Sequence, residues 1–567
     1  MASRLDCEHE EGRSPGRDAH PGPEGEGECW AARHTLALMG FLGLAVEYSL
    51  RVNLSIAIVA MAGTSEVNAT NNASQDVCPV RDNGTDSGGN HVEGEFAWDE
   101  ETQGLILGAF FYGYTATNFL GGRLAEYLGG RLVFGLGSGV ASVLALLSPL
   151  CARISTGLFV ASRILTGVSQ GVTFPALNSL MATWFPPEER AKLGSFVYGG
   201  EFFRFRYTVF LSLKICLVPL CVKLLYTPMK KCYIGRYVNE FNHQISNMVI
   251  IFTSFAIRMQ FGTIIGLTSS GWLCNSGFLG GWPSVFYVFG GVGLAWAVPW
   301  FLLIHDRPEG HPRISKQELD YIQGQQDTVK GVERVPIPWK AVVTSPPMWS
   351  SAVMAFGGSF GFYTLLTEMP TYLANIQHFD VKSNGLLSGL PYACMLCTSL
   401  AWGVVVDRLL AAKCLSLKAV RRISTAIAYY VAALALIAMC FVDCNSSVAM
   451  VVLCISVGIS GCGYSGSCLT EQDIAPNLAG TLTGITNTLG SATGFLAPAV
   501  AGAITMNNNK SIHAWREVFL MSAGTLTIAT SLYMVLMSVE VQPWNNPEKD
   551  KAETKLKIEN GFAHNSR

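Results

Sequence analysis

The segment EYSLRVNLSIA sets Glu47 and Arg51 four residues apart inside an apolar stretch, so on a helix they share one face. A guanidinium at that depth needs an anion. Either Glu47 is its internal partner and the pair holds the helix in register, or Arg51 meets the carboxylate of a substrate, which its planar fork fits best. A second arginine, Arg163, heads the stretch RILTGVSQGVTFPALNSLMATWFPPEERAKL. At 3.6 residues per turn, Arg163, Thr166, Gln170, Thr173 and Leu177 fall along one stripe. A charge inside a membrane helix is expensive and faces a water-filled cavity or a partner. Arg163 is therefore read as a substrate contact or as half of an interhelical pair. Gly167 and Gly171 form a GxxxG pair, which lets a neighbouring helix approach closely. The run GAFFYGYTATN offers Phe111 and Tyr112 as candidate cavity walls, although aromatic residues at such spacing more often serve packing.

The elements that must position these residues follow from composition. Half of the 567 residues are apolar and only 14% are charged, with 58 glycines and a positive mean hydropathy, which is membrane-protein composition. A net charge of −2 argues against nucleic acid as a partner. No nucleophile elbow, HExxH or Walker loop is present, so the chain does not read as an enzyme. The 16 cysteines lie mostly inside apolar stretches and are not a disulfide framework. Cys394 and Cys397 form a CxxC in a hydrophobic helix, where core packing is the expected role. Cys78 and Cys444 fall in loops on the same side, and whether they pair is open.

Twelve apolar segments of spanning length lie near 35–61, 103–123, 131–151, 156–183, 193–200 continued at 259–276, 282–304, 347–373, 384–410, 419–441, 447–470, 477–505 and 515–538. The expected architecture is an all-α membrane protein with a cytosolic tail at 1–33 that reads as disordered, a six-helix bundle at 34–304, a central loop at 305–346, a second six-helix bundle at 347–540 and a tail at 541–567. Twelve spans split six and six is the layout of repeat-built carriers, whose substrate site lies at the midplane between the halves. Lys and Arg gather in the loops 121–131, 184–194, 305–346 and 406–422, so the positive-inside rule puts both termini and the central loop in the cytosol. The sequons opened by Asn68, Asn72 and Asn83, in the loop 62–100, and by Asn445 and Asn509 all lie on the other side, as glycosylation requires.

GGRLAEYLGGR (121–131) resembles the signature loop of the major facilitator superfamily, a conformational latch in which Gly122 permits a tight turn and Glu126 and Arg131 lock to neighbouring helix ends. GVVVDR (403–408) is its degraded counterpart in the second half. RVNLS, WDEETQGLILGAFFYGY, RILTGVSQGVTFPA, PPEERAKL, FYTLLTEMPTYL and DIAPNLAGTLTGITNT together resemble sialin and its relatives, the anion:cation symporters that carry sialic acid, vesicular glutamate, phosphate or organic anions. The resemblance runs from about 30 to 545. It implies the major facilitator fold, alternating access, and transport of small organic anions driven by a proton or sodium gradient, with no cofactor or metal beyond that coupling ion.

Carried over residue by residue, the resemblance assigns substrate contacts to Arg51, Arg163, Tyr363 and Asn487. Two departures matter. Where sialin-like carriers place two glutamates on helix 4, this chain has Thr166 and Gln170, which cannot take up a proton as a carboxylate can. Where vesicular glutamate carriers have a histidine in helix 2 and an arginine in helix 7, it has Leu107 and Gly358. The remaining acidic candidates for coupling are Glu47, Glu368 and Asp473, for each of which a structural role competes. The expected partners are a small organic anion and the lipid bilayer, the expected state is a monomer, and the expected location is the lysosomal or plasma membrane.

Residues 201–258 fit none of this. Removing them joins Tyr198-Gly199-Gly200 to Met259-Gln260-Phe261-Gly262 and restores the family's Y-x-G-x-Q-x-G-T. The insert is basic, and its apolar run 211–226 is broken by Lys214, Pro219 and Lys223, a poor membrane span. It reads as an unspliced intron or a gene-model error, with a regulatory insertion as the alternative. A carrier disabled by this insert is the competing functional class.

Overall fold

The computed structural model describes residues 32–62, 78, 94–185, 260–327, 337–506 and 511–545. The sequons at Asn68, Asn72, Asn83 and Asn509, the insert 201–258 and most of both tails lie outside the described residues. Among those described, every regular element is helical. Spans 1 to 3 are Ala32–Ala62, Glu100–Leu128 and Gly130–Ile154. Span 4 is broken at Val172 into Thr156–Gly171 and Thr173–Trp184. Span 5 is described over 260–275, and span 6 is Pro283–Leu303. Spans 7 to 9 are Pro346–Asn375, Val381–Ala411 and Leu417–Met439. Span 10 begins as Ser446–Ser460, tightens through short 3₁₀ turns and ends at Ile474. Spans 11 and 12 are Ala479–Thr505 and Ile512–Leu536.

Eight of these helices are long and apolar enough to cross a membrane by length and composition. The others are spans 2, 4, 5 and 7. The break at Val172 leaves span 4 as helices of 16 and 12 residues, each too short to cross alone, while spans 2 and 7 carry the buried polar side chains Tyr114 and Glu368. Local chemistry fixes several helix starts. Asp99, Asp380, Ser416, Asn445 and Ser511 each cap a span by accepting the backbone N–H three residues on.

The two halves repeat one packing scheme. Span 4 lies on spans 2 and 3 as span 10 lies on spans 8 and 9; span 6 lies on spans 1 and 3 as span 12 lies on spans 7 and 9. Between the halves, span 2 meets span 11 and span 5 meets span 8 at the end that carries the 62–100 loop. There the backbones touch: a Cβ added to Gly271 would sit 2.8 Å from the Gly385 Cα, and one added to Gly104 would sit 2.6 Å from the Pro498 carbonyl oxygen. At the opposite end of span 11, Gly480 and Gly484 face open space.

Cys78 and Cys444 pair, with their Cα atoms 5.4 Å apart. The bond ties the loop after span 1 to the turn before span 10, so it joins the two halves at their closed end, where the Cys78 carbonyl also meets the His378 ring at 3.1 Å. Cross-links of this kind stabilise by about 2–4 kcal/mol. Cys444→Ser is expected to lower the melting temperature in non-reducing detergent solution. Equal melting temperatures for variant and parent would show that the bond contributes nothing to the fold.

Candidate anion site between the two halves

The site begins with glycine. Spans 2 and 4 pack backbone to backbone because Gly167 and Gly171 face span 2 while Gly113 faces span 4. A Cβ added to Gly167 would lie 1.9 Å from the Phe110 carbonyl oxygen. This approach brings Phe110 and Tyr114 beside the stripe headed by Arg163.

Arg163 is 1% exposed, its guanidinium carbon lies 5.9 Å from the centroid of the Phe110 ring, and its Nε has no hydrogen-bond partner. Arg51 reaches the same ring from span 1, at 5.0 Å, and also lies 4.4 Å from the Tyr114 ring and 4.7 Å from the Tyr48 ring. The hydroxyl-bearing rings of Tyr114 and of Tyr363 from span 7 lie close enough to interact with its charge. Phe111 packs edge-on against Tyr363 at 4.6 Å. Two buried cations thus share one aromatic ring, and among the described residues neither has a carboxylate within ion-pair distance. Ring faces attract a desolvated cation by about 0.5–2 kcal/mol each, which offsets only part of the burial cost.

Glu47 is turned toward spans 3 and 4. Ser138 Oγ approaches one of its oxygens, Thr173 Oγ1 lies 2.9 Å from the other, and Gln170 Nε2 is 3.5 Å from its backbone carbonyl. Glu47 and Arg51 therefore share a helix face, but among the described contacts Glu47 turns to spans 3 and 4 while Arg51 turns to the rings of span 2.

The other residues singled out in the sequence lie elsewhere. Tyr112 is 41% exposed and stacks on Phe495 of span 11 at 4.4 Å, facing away from Phe111. Asn487 is half-buried on span 11, seven residues and so about 10 Å along the axis from Gly494, where Phe111 packs. Glu368 is buried in a narrow apolar crevice lined by Tyr372, Leu453, Trp515 and Phe519, with Oε1 unpartnered. Asp473 is held by the Arg421 guanidinium, at 2.7 Å from Nε and 3.2 Å from Nη2, in a buried bidentate pair between spans 9 and 10. Removing one member of such a pair costs about 3–5 kcal/mol, because the other charge stays buried. Asp473→Asn is accordingly expected to lower thermal stability sharply. A variant that melts with the parent would remove this structural reading of Asp473.

Residues 121–128, expected as a loop turning at Gly122, instead complete span 2, and the turn falls at Gly129; just beyond it the Arg131 backbone N–H donates to Asp306 at 2.8 Å and its guanidinium donates to the Phe301 carbonyl. Gly129, at φ +89°, lets the Asp306 carboxylate close against it. Gly122 and Glu126 both lie on the last turns of span 2, and the Glu126 side chain is outside what is described. Asp306 was not singled out from sequence, and neither were Tyr48, Phe110 and Tyr114. The signal for Phe110 and Tyr114 was their i, i+4 spacing, and Tyr48 lies three residues before Arg51.

Fold and site together define a polytopic membrane carrier. The family model for the Major Facilitator Superfamily matches residues 36–203 and 250–498, leaving most of the insert unmatched. The chain is 34% identical over 532 residues to a "Putative inorganic phosphate cotransporter" of Drosophila melanogaster, covering 93% of this chain and 89% of that protein. It is 33% identical over 547 residues to sialin of Homo sapiens, covering 96% of each. Among solved structures, a bacterial homologue of the human lysosomal transporter Spinster, crystallised inward-facing and occupied, superposes with a TM-score of 0.59 at 13% identity, over 89% of this chain and 97% of that one. The chain belongs to the major facilitator superfamily and, within it, to the sialin-like family of anion transporters.

Proposed function

We propose that this protein is a secondary active symporter that moves a small organic anion, such as sialic acid, an acidic sugar or an acidic amino acid, by alternating access. The observation that carries this reading is the pair of buried guanidiniums around Phe110, which lack carboxylate partners among the described residues. An anion bound there supplies the missing counter-charge and receives fork-shaped donors in a low-dielectric setting. Tyr363 belongs to this site through its proximity to the Arg51 charge, and Phe111 through its ring contact with Tyr363. Closure at the 62–100 end and open space beside Gly480 and Gly484 fit one state of an alternating-access cycle. The reading places both termini in the cytosol and the protein in the lysosomal or plasma membrane.

Inorganic phosphate is the second reading, favoured by Gln170, a neutral side chain where the sialin pattern has a glutamate, and by the phosphate cotransporter among the relatives. Proteoliposome uptake of labelled sialic acid, glutamate and phosphate, under imposed pH or sodium gradients, tests both. Uptake driven by sodium and indifferent to pH selects the phosphate-type reading. Absence of flux for every anion under every gradient would overturn transport.

A further inference from the structure

Gln260 is the first described residue of span 5 and is fully buried. Its Nε2 donates to the Met395 thioether of span 8 at 3.1 Å, and its Oε1 has no hydrogen-bond partner. A thioether is a weak acceptor and no donor, so exchanging the oxygen and nitrogen of the amide leaves as much unsatisfied. Tyr392, one turn before Met395 on span 8, is also fully buried with its hydroxyl unpartnered. Buried polar groups are nearly always paired, and leaving one unpaired weakens a fold.

The amide lies beside the arginine site. A Cβ added to Gly262, two residues on, would sit 2.8 Å from the Tyr48 Cβ, and the Tyr48 ring lies 4.7 Å from the Arg51 guanidinium. Span 10 closes the other side. It tightens into a 3₁₀ turn at Gly461–Ser465, where a Cβ added to Gly461 would meet the Met395 carbonyl oxygen at 2.6 Å. That turn carries Tyr464, close enough to interact with both Gln260 and Tyr48, yet without a hydrogen bond to the Gln260 oxygen. Mid-helix 3₁₀ turns of this kind often mark functional sites.

We propose that Gln260 is a specificity-determining residue of the anion site, and that it takes a hydroxyl of the substrate whose acid group Arg51 and Arg163 hold. The proposal rests on the anion-transport reading and narrows the substrate class to hydroxylated carboxylic acids. A hydroxyl has a hydrogen to give Oε1 and lone pairs for an N–H, both of which an apolar arm lacks. A site with buried polar groups rejects the analogue that lacks their partner, because those groups then stay unpaired. The guanidiniums select the charge, and the amide selects what the charge is attached to.

Calorimetric titration of the purified full chain with glucuronate, a hydroxylated ring acid, and with cyclohexanecarboxylate, a ring acid without hydroxyls, tests the amide. The parent is expected to bind glucuronate more tightly. Gln260→Met keeps the length of the side chain without its polar atoms. It is expected to melt at or above the parent, since an unsatisfied group is removed. Its affinity for glucuronate is expected to fall by roughly 5- to 150-fold, while that for cyclohexanecarboxylate holds within about twofold. An amide of purely structural use changes both acids equally, and that outcome, or no change for either, would overturn the proposal. Gln260→Asn withdraws the amide by one methylene and serves where the first variant does not fold; an unchanged preference for glucuronate there overturns the proposal equally. A parent that binds inorganic phosphate and neither ring acid would overturn the subsite and keep the anion reading. A parent that binds no anion would overturn both.

Discussion

Arg51→Ala/Arg163→Ala is expected to abolish anion uptake while leaving the protein folded, with a melting temperature equal to or above that of the parent. Stability and function separate here because the two guanidiniums hold no ion pair among the described residues. A buried cation without a counter-charge weakens a fold, so its removal relieves a cost. The anion loses a charge-assisted bond at each position, worth about 1.5–3 kcal/mol, or roughly 10- to 150-fold in affinity per arginine. Arg163→Lys keeps the charge but replaces a planar fork by a point donor, so intermediate loss is expected at that position. Uptake is read in proteoliposomes and stability in detergent on the same preparations. Uptake within about twofold of the parent would sink the assignment of these arginines to the substrate.

Parts of this site were legible in the sequence because they depend on spacing along one helix. Arg163, Thr166, Gln170 and Thr173 fall on one stripe and are all buried. The GxxxG pair announces a close neighbour, and span 2 is that neighbour. What was not legible depends on which face a neighbour presents. Phe111 and Tyr112 differ by one residue, yet one step along a helix turns the side chain by about 100°. Phe111 therefore lands on Tyr363, while Tyr112 lands on Phe495 at the surface. Phe110, the ring both arginines share, read as packing for the same reason. Glu47 and Arg51 were correctly placed on one face of span 1. Their partners come from different helices, and only the assembled bundle shows that Glu47 goes to spans 3 and 4 while Arg51 goes to the rings of span 2. The Cys78–Cys444 bond joins residues 366 apart, beyond any local signal.

Gly167→Ala is expected to have the second large effect, by a route that leaves both arginines in the chain. The added methyl would meet the Phe110 carbonyl oxygen at 1.9 Å and the Tyr114 amide nitrogen at 2.9 Å. These are backbone atoms in the middle of a hydrogen-bonded helix, so no rotamer change can make room, and spans 2 and 4 must move apart. Overpacking of this kind costs about 1–3 kcal/mol even where side chains can yield. The separation also carries the Phe110 ring away from the Arg163 guanidinium, so uptake is expected to fall further than the loss of folded protein alone explains. Gly139→Ala is the matched control: it lies on span 3 with nothing within 4 Å of the added carbon. Alanine favours helix there by about 0.5–1 kcal/mol, so stability should hold or rise. Thermal unfolding monitored by size-exclusion fluorescence separates the two variants. If Gly167→Ala melts with Gly139→Ala and transports with the parent, the backbone contact between spans 2 and 4 is not what holds the two arginines around one ring.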